Sequence, residues 1–159
     1  MTRTVKTPTW FEENKVKLRP IYVALSVTTI LMGLAAHMTI TSIEPASQKS
    51  MDSGTESMQM LLSVVGMSCC FFAMVFHQWM LKPKRVKEHP LGAHVHSHIL
   101  MSYLLTWILA QSCATIGLVI AVLTKDPEQY SMFGVLSLLT ILAHPYTEGR
   151  VRRAIILLK

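Results

Sequence analysis

Charge is scarce in this chain and unevenly placed. Only 15% of its 159 residues are Asp, Glu, Lys or Arg, against about 25% in soluble domains. Four long apolar runs, at about 20–43, 57–81, 98–124 and 129–147, hold none of the nine acidic residues and no Lys or Arg. Proton relays and ion-coupled transporters place an ionisable side chain at membrane depth, so this absence argues against both; the one mid-run amide, Gln111, does not titrate. Cysteine is limited to Cys69, Cys70 and Cys113, all inside apolar runs and without a C-x-x-C spacing, which offers no disulfide framework and reads as small buried hydrophobes. There is no phosphate-binding glycine loop, no G-x-S-x-G and no H-E-x-x-H. The longest stretch outside the runs has about 19 residues, too short for a soluble catalytic domain, and no enzyme is expected. A signal peptide is not expected either, because residues 1–19 are polar and mix acids with bases.

What is present is apolar length. The chain is 51% hydrophobic with a mean hydropathy of +0.40. The run at 98–124, HILMSYLLTWILAQSCATIGLVIAVLT, is 27 residues without a charge; at ~1.5 Å per residue it is roughly 40 Å long, enough to cross a ~30 Å hydrocarbon layer with tilt. The other three runs read as further membrane helices, the fourth shorter and stopped by Pro145. The expectation is an all-α, four-span integral membrane protein in three parts: an interfacial segment (1–19), a transmembrane domain (20–147) and a basic amphipathic tail (148–159). Within 1–19, residues 1–8 read as disordered, and Thr9-Trp10-Phe11-Glu12 fits a capping box opening a short helix to about Leu18. Trp10 and Phe11 beside Lys15, Lys17 and Arg19 make an interfacial collar, or an arm for a partner. The loop at 44–58 is polar, 82–88 is a basic turn, and Pro127 is placed to open a helix after a tight turn.

Basic residues decide orientation. The N-terminal segment holds five Lys/Arg, the loop before the third run four and the tail four, while the two remaining loops hold only Lys49 and Lys125. Thirteen against two predicts cytoplasmic termini. The net charge of +6 is thereby assigned to membrane topology rather than to nucleic acid, and no nucleic-acid partner is expected.

Two groups of residues carry what chemistry the sequence offers. The first is on the third run, where Gln111 sits among Ala110, Ala114, Gly117 and Ala121 at helical spacing. A buried amide flanked by small residues marks a face that packs on protein rather than lipid; its expected partners are Ser26 or Thr29 of the first run, Ser63 or Ser68 of the second, or a second copy of the same helix. Gly33, Ala35 and Ala36 give the first run a similar patch. The second group is histidine. His94, His96 and His98 alternate, and His77 and His144 fall near the same predicted face. Neutral imidazole is a common transition-metal ligand, so these five are the candidate metal set, and two histidines at matched depth in a bundle could clamp a haem; polar interfacial residues at helix ends are the plainer reading, and no cofactor is the primary expectation. Met38, Met51, Met58 and Met60 have the softness for copper but read more simply as packing.

The stretch Trp107-Ile108-Leu109-Ala110-Gln111-Ser112-Cys113-Ala114-Thr115-Ile116-Gly117-Leu118-Val119-Ile120-Ala121-Val122-Leu123 resembles the ion-binding helix, A-E-A-x-x-x-Y-G-L-V-x-A-L, of the rotary-ATPase proteolipid c subunit. With the continuation Thr124-Lys125-Asp126-Pro127 and Phe133 it is also similar to small c-subunit-like bacterial four-helix membrane proteins of unassigned function. The family's glutamate falls on Gln111, so the ion site does not carry over, and the glycine-repeat partner helix is missing from a chain with seven glycines. What the resemblance implies is packing: a small-residue helix able to build a multi-helix assembly in a bacterial inner membrane. The expected function is therefore a non-enzymatic scaffold or accessory subunit, assembling through the third run with itself or with other membrane subunits. The alternatives are a haem- or metal-binding anchor, or a passive channel lined by Gln111, Ser112 and Thr115.

Overall fold

The computed structural model describes residues 9–42, 53–82 and 95–156. The disorder expected at 1–8, the basic turn beyond Lys82, His94 and most of the 44–58 loop lie outside these residues. Among them every element is a helix: α1 (Thr9–Ser42), α2 (Ser53–Met80), α3 (Val95–Thr124), α4 (Pro127–Ala143) and α5 (Glu148–Ile156). Three of these, α1 to α3, are long and apolar enough to cross a membrane. With 17 residues, α4 measures only about 26 Å, slightly less than the hydrocarbon layer it was expected to span.

Several boundaries differ from the sequence reading. The short helix expected to end near Leu18 and the span expected to begin at Pro20 are one 34-residue helix with Pro20 inside it. Proline lacks the N–H that would bond the carbonyl of Val16, but the helix continues because its inward stripe is unbroken: Leu18, Tyr22, Leu25, Thr29, Met32, Ala36 and Ile40 recur at helical spacing on the buried or half-buried side. Helix α2 starts at Ser53 rather than near 57, and α3 starts at Val95, ahead of the expected start at 98. Helix α4 stops at Ala143, where His144 is the C-cap, ahead of the expected end at 147.

The α3–α4 turn explains itself locally. Lys125 takes a left-handed φ of 56°, and the Asp126 N–H reaches back to the Ala121 carbonyl at 3.1 Å, the pairing of a Schellman terminus. Asp126 then caps α4, its carboxylate accepting from the Glu128 N–H at 3.0 Å and from Gln129 Nε2 at 3.2 Å, with Pro127 opening the helix.

Helix α3 is the centre. It packs against α1, α2 and α4, and α4 in turn touches α1 and α2. Within the most apolar window of each span, 44% of α3 is buried, against 17% of α1 and 22% of α2. The outer surfaces of α1 and α2 are correspondingly apolar and exposed, with Ile30, Leu34, Leu61, Phe71 and Phe72 among them. One cluster joins Leu18, Ile99, Tyr103, Trp107, Tyr146 and Val151, with Leu81 packed on it, and so ties together the start of α1, the end of α2, the start of α3 and α5. A second joins Ala36, Ile40, Ala121 and Tyr130 towards the opposite end.

Candidate functional site

The small face of α3 is filled from within the chain. Ala110, Ala114 and Ala121 are fully buried, Ala35 is exposed and Ala36 buried. Gln111 turns to α1: its Oε1 accepts from Thr29 Oγ1 at 2.9 Å and its Nε2 donates to Met32 Sδ at 3.4 Å. Of the expected partners it is Thr29 that is used; Ser26 and Ser68 bond their own helix carbonyls. Satisfying both halves of a mid-span amide inside one chain removes the cost of leaving it in lipid. Thr115 is exposed and Ser112 half-buried, and their hydroxyls bond back to Gln111 and Ile108 carbonyls.

Two aromatic side chains of α4 account for the glycines. A Cβ on Gly117 of α3 would collide with Phe133, and one on Gly66 of α2 would lie 2.9 Å from the same ring. A Cβ on Gly33 of α1 would lie 2.7 Å from the Tyr130 ring, and one on Gly134 2.6 Å from it. Phe133 is thus wedged against both α2 and α3, and Tyr130 against α1, where its hydroxyl donates to the Thr29 carbonyl. Cys70 and Cys113 share the Phe133 cluster, Cys113 Sγ approaching the Phe133 carbonyl at 3.9 Å and Thr140 Oγ1 approaching Cys70 Sγ at 3.8 Å. They are buried and unbridged, packed as small hydrophobes with weak polar contacts. Ser137, also in this seam and 0% exposed, has a hydroxyl without a hydrogen-bond partner among the described residues.

The other end of α3 is aromatic and polar. His77 of α2 and His144 at the end of α4 meet edge to face with ring centroids 4.6 Å apart, and Tyr103 stands 4.6 Å from His77. Tyr146 packs edge-on to Tyr103 at 5.2 Å, and burial pushes its phenol up to about 12, with Tyr103 adding to the shift. Each imidazole is held. His144 Nδ1 lies 2.8 Å from the Thr140 carbonyl; a carbonyl only accepts, so this nitrogen carries the proton. His77 Nδ1 is 2.9 Å from Ser102 Oγ. Trp107, with no exposed surface, donates from Nε1 to the His144 carbonyl at 3.0 Å, and Arg150 of α5 donates to the Ala143 carbonyl, so two of the carbonyls left open at the end of α4 are satisfied by side chains.

Of the five candidate metal-ligating histidines the structure brings His77 and His144 together. His98 is spent on the Met80 carbonyl, to which its Nε2 donates at 2.9 Å. His94 and the side chain of His96 lie outside the described residues. Two imidazoles touching edge to face leave no room between them for a porphyrin, whose iron takes its axial ligands from opposite faces; a haem clamped by this pair does not fit the packing. Among the described residues no three His, Cys, Asp or Glu side chains gather as a metal-binding group. No known family profile, curated protein or solved structure matches this chain.

The sequence reading missed Ser102, Tyr103, Trp107 and Tyr146 at one end and Tyr130 and Phe133 at the other. A signal existed for both. Tyr103 and Trp107 are four apart and Tyr130 and Phe133 three apart, spacings that place each pair on one helix side, and all four of the glycines in the spans needed a bulky partner.

Proposed function

We propose that this chain is a non-enzymatic membrane scaffold or accessory subunit, crossing a bacterial inner membrane four times with both termini in the cytoplasm. The observation that carries the reading is the asymmetry of burial: α3 turns Gln111, Ala110, Ala114, Gly117 and Ala121 inside the chain, while α1 and α2 offer long apolar outer faces. Such a molecule is a self-contained helical unit whose outward surface is available to lipid or to neighbouring subunits. The four-span topology draws on the thirteen-to-two basic bias. The small face of α3 in this reading holds the helices of one chain together. Assembly with a second copy or another subunit then uses the outer faces, including the α3 stripe of Ile108, Thr115, Val119 and Val122.

Extraction from native membrane in mild detergent, followed by mass measurement of the intact particle, tests the reading. A particle larger than one chain, or a stoichiometric companion protein, is expected; a bare monomer at every detergent strength sinks it. Impermeant thiol labelling of Ser50→Cys and Lys84→Cys tests the topology, and labelling from the same side contradicts it.

The contact of His77 and His144 supports a second reading, a metal-binding anchor in which these two imidazoles supply nitrogen ligands. Elemental analysis of the purified protein checks it: a stoichiometric transition metal lost in His144→Ala supports it, and none in the wild type disposes of it.

A further inference from the structure

The two ends of the molecule differ in charge. At the end that carries α5, the described cations are Lys15, Lys17, Arg19, Lys82, Arg150 and Arg153, against Glu12, Glu13 and Glu148. Glu12 is already paired with Lys15 at 3.5 Å. At the opposite end Lys125 faces an excess of acids, Glu56, Asp126 and Glu128.

The cations are not scattered over their end. They bracket the residues of one apolar cluster, which contains Leu18 and Val151 and has Leu81 packed on it. Lys17 and Arg19 flank Leu18, Lys82 follows Leu81, and Arg150 and Arg153 stand on either side of Val151; all five are exposed. Helix α5 has nine residues, too few to cross a bilayer, and docks through Val151, which is 1% exposed. Apolar anchors with exposed cations next to them in sequence, gathered towards one end of helices long enough to span, are placed where hydrocarbon gives way to headgroups.

We propose that this basic end is a binding surface for the phosphate groups of anionic phospholipids, with Lys17, Arg19, Lys82 and Arg153 as its contacts. The proposal rests on the multi-pass membrane reading and adds to it a lipid preference confined to one end. Exposed Lys and Arg side chains suit phosphate, lysine as a point charge and arginine through a planar fork that takes two oxygens at once. Near an anionic surface each cation contributes about fivefold in binding. Among the described residues the acid-rich end has only Lys125 to offer.

The test uses the full chain in discs of phosphatidylcholine, and in the same discs with a third of the lipid replaced by phosphatidylglycerol. Lipids retained by the protein on release into the gas phase are counted by native mass spectrometry. The wild type is expected to retain phosphatidylglycerol over phosphatidylcholine, a preference that falls as salt is raised. The quadruple variant Lys17→Gln, Arg19→Gln, Lys82→Gln, Arg153→Gln should lose on the order of tenfold or more of that preference, while Lys125→Gln keeps it. Equal retention of the two lipids by the wild type, which needs no variant to fold, overturns the proposal and leaves the membrane reading standing, as does an unchanged preference in the quadruple variant. Failure to enter either disc overturns the membrane reading and the proposal together.

Discussion

The two halves of α3 solve one packing problem in opposite ways. From Ile99 to Trp107 the helix presents large side chains with polar handles, and its neighbours answer with imidazoles, hydroxyls and carbonyls. From Ala110 to Ala121 it interleaves the small residues Ala110, Ala114, Gly117 and Ala121 with larger ones, and where it is small the neighbour α4 answers with the rings of Phe133 and Tyr130. Lipid tails are as apolar as leucine, so hydrophobicity alone does not hold helices together in a membrane; close backbone approach and interhelical hydrogen bonds do. The first half uses hydrogen bonds to fix where α4 ends, and the second uses shape to fix how close α2, α3 and α4 come. Gln111 marks the change from one to the other, bonded sideways to α1.

Breaking each half should therefore leave a different signature, read as thermal loss of helical circular dichroism in mild detergent. The largest effect is expected at the bulky end. Trp107→Ala opens a cavity and strands the His144 carbonyl, for a loss of about 3 kcal/mol, the low end of the range for such truncations because lipid replaces water as the reference. Next comes Gly117→Leu, which drives a side chain into Phe133 and should cost about 1–3 kcal/mol. The pair sharpens the contrast, because Phe133→Ala made together with Gly117→Leu should recover part of that loss, as expected of residues in direct contact, whereas nothing truncated at α4 should rescue Trp107→Ala. Gln111→Leu removes two weak partners and is expected to cost roughly 0.6–2 kcal/mol. The smallest effect belongs to Ser137→Ala, which removes a buried hydroxyl without a partner; it should leave the transition unchanged or raise it, and a clear drop would show that the hydroxyl has a partner after all.

Three long apolar helices and the Lys125–Pro127 turn were legible because their evidence is one-dimensional: charge-free runs, and a proline after a turn. Gln111 and its small neighbours were legible as an inward face for the same reason, and Thr29 stood among the expected partners. Continuity through Pro20 was not, since a proline reads locally as a boundary and only the stripe from Leu18 to Ile40 overrides it. Nor was the meeting of His77 with His144, 67 positions apart, because it depends on α2 and α4 ending at one level beside α3. Sequence spacing placed His94, His96 and His98 as neighbours; helical geometry turns His98 onto the Met80 carbonyl instead.

The small-and-polar face of α3 is occupied by α1, at Gln111, and by α4, at Gly117, of the same chain, which leaves the outer faces for assembly. Thr29→Cys combined with Gln111→Cys, joined by a short bifunctional thiol reagent and separated under denaturing conditions, tests it most directly. Single-cysteine variants serve as controls for the native thiols. A link within one chain is expected, seen as a faster-moving monomer with the reagent's added mass and no dimer. A covalent dimer specific to the double variant would place that face between two copies and contradict it.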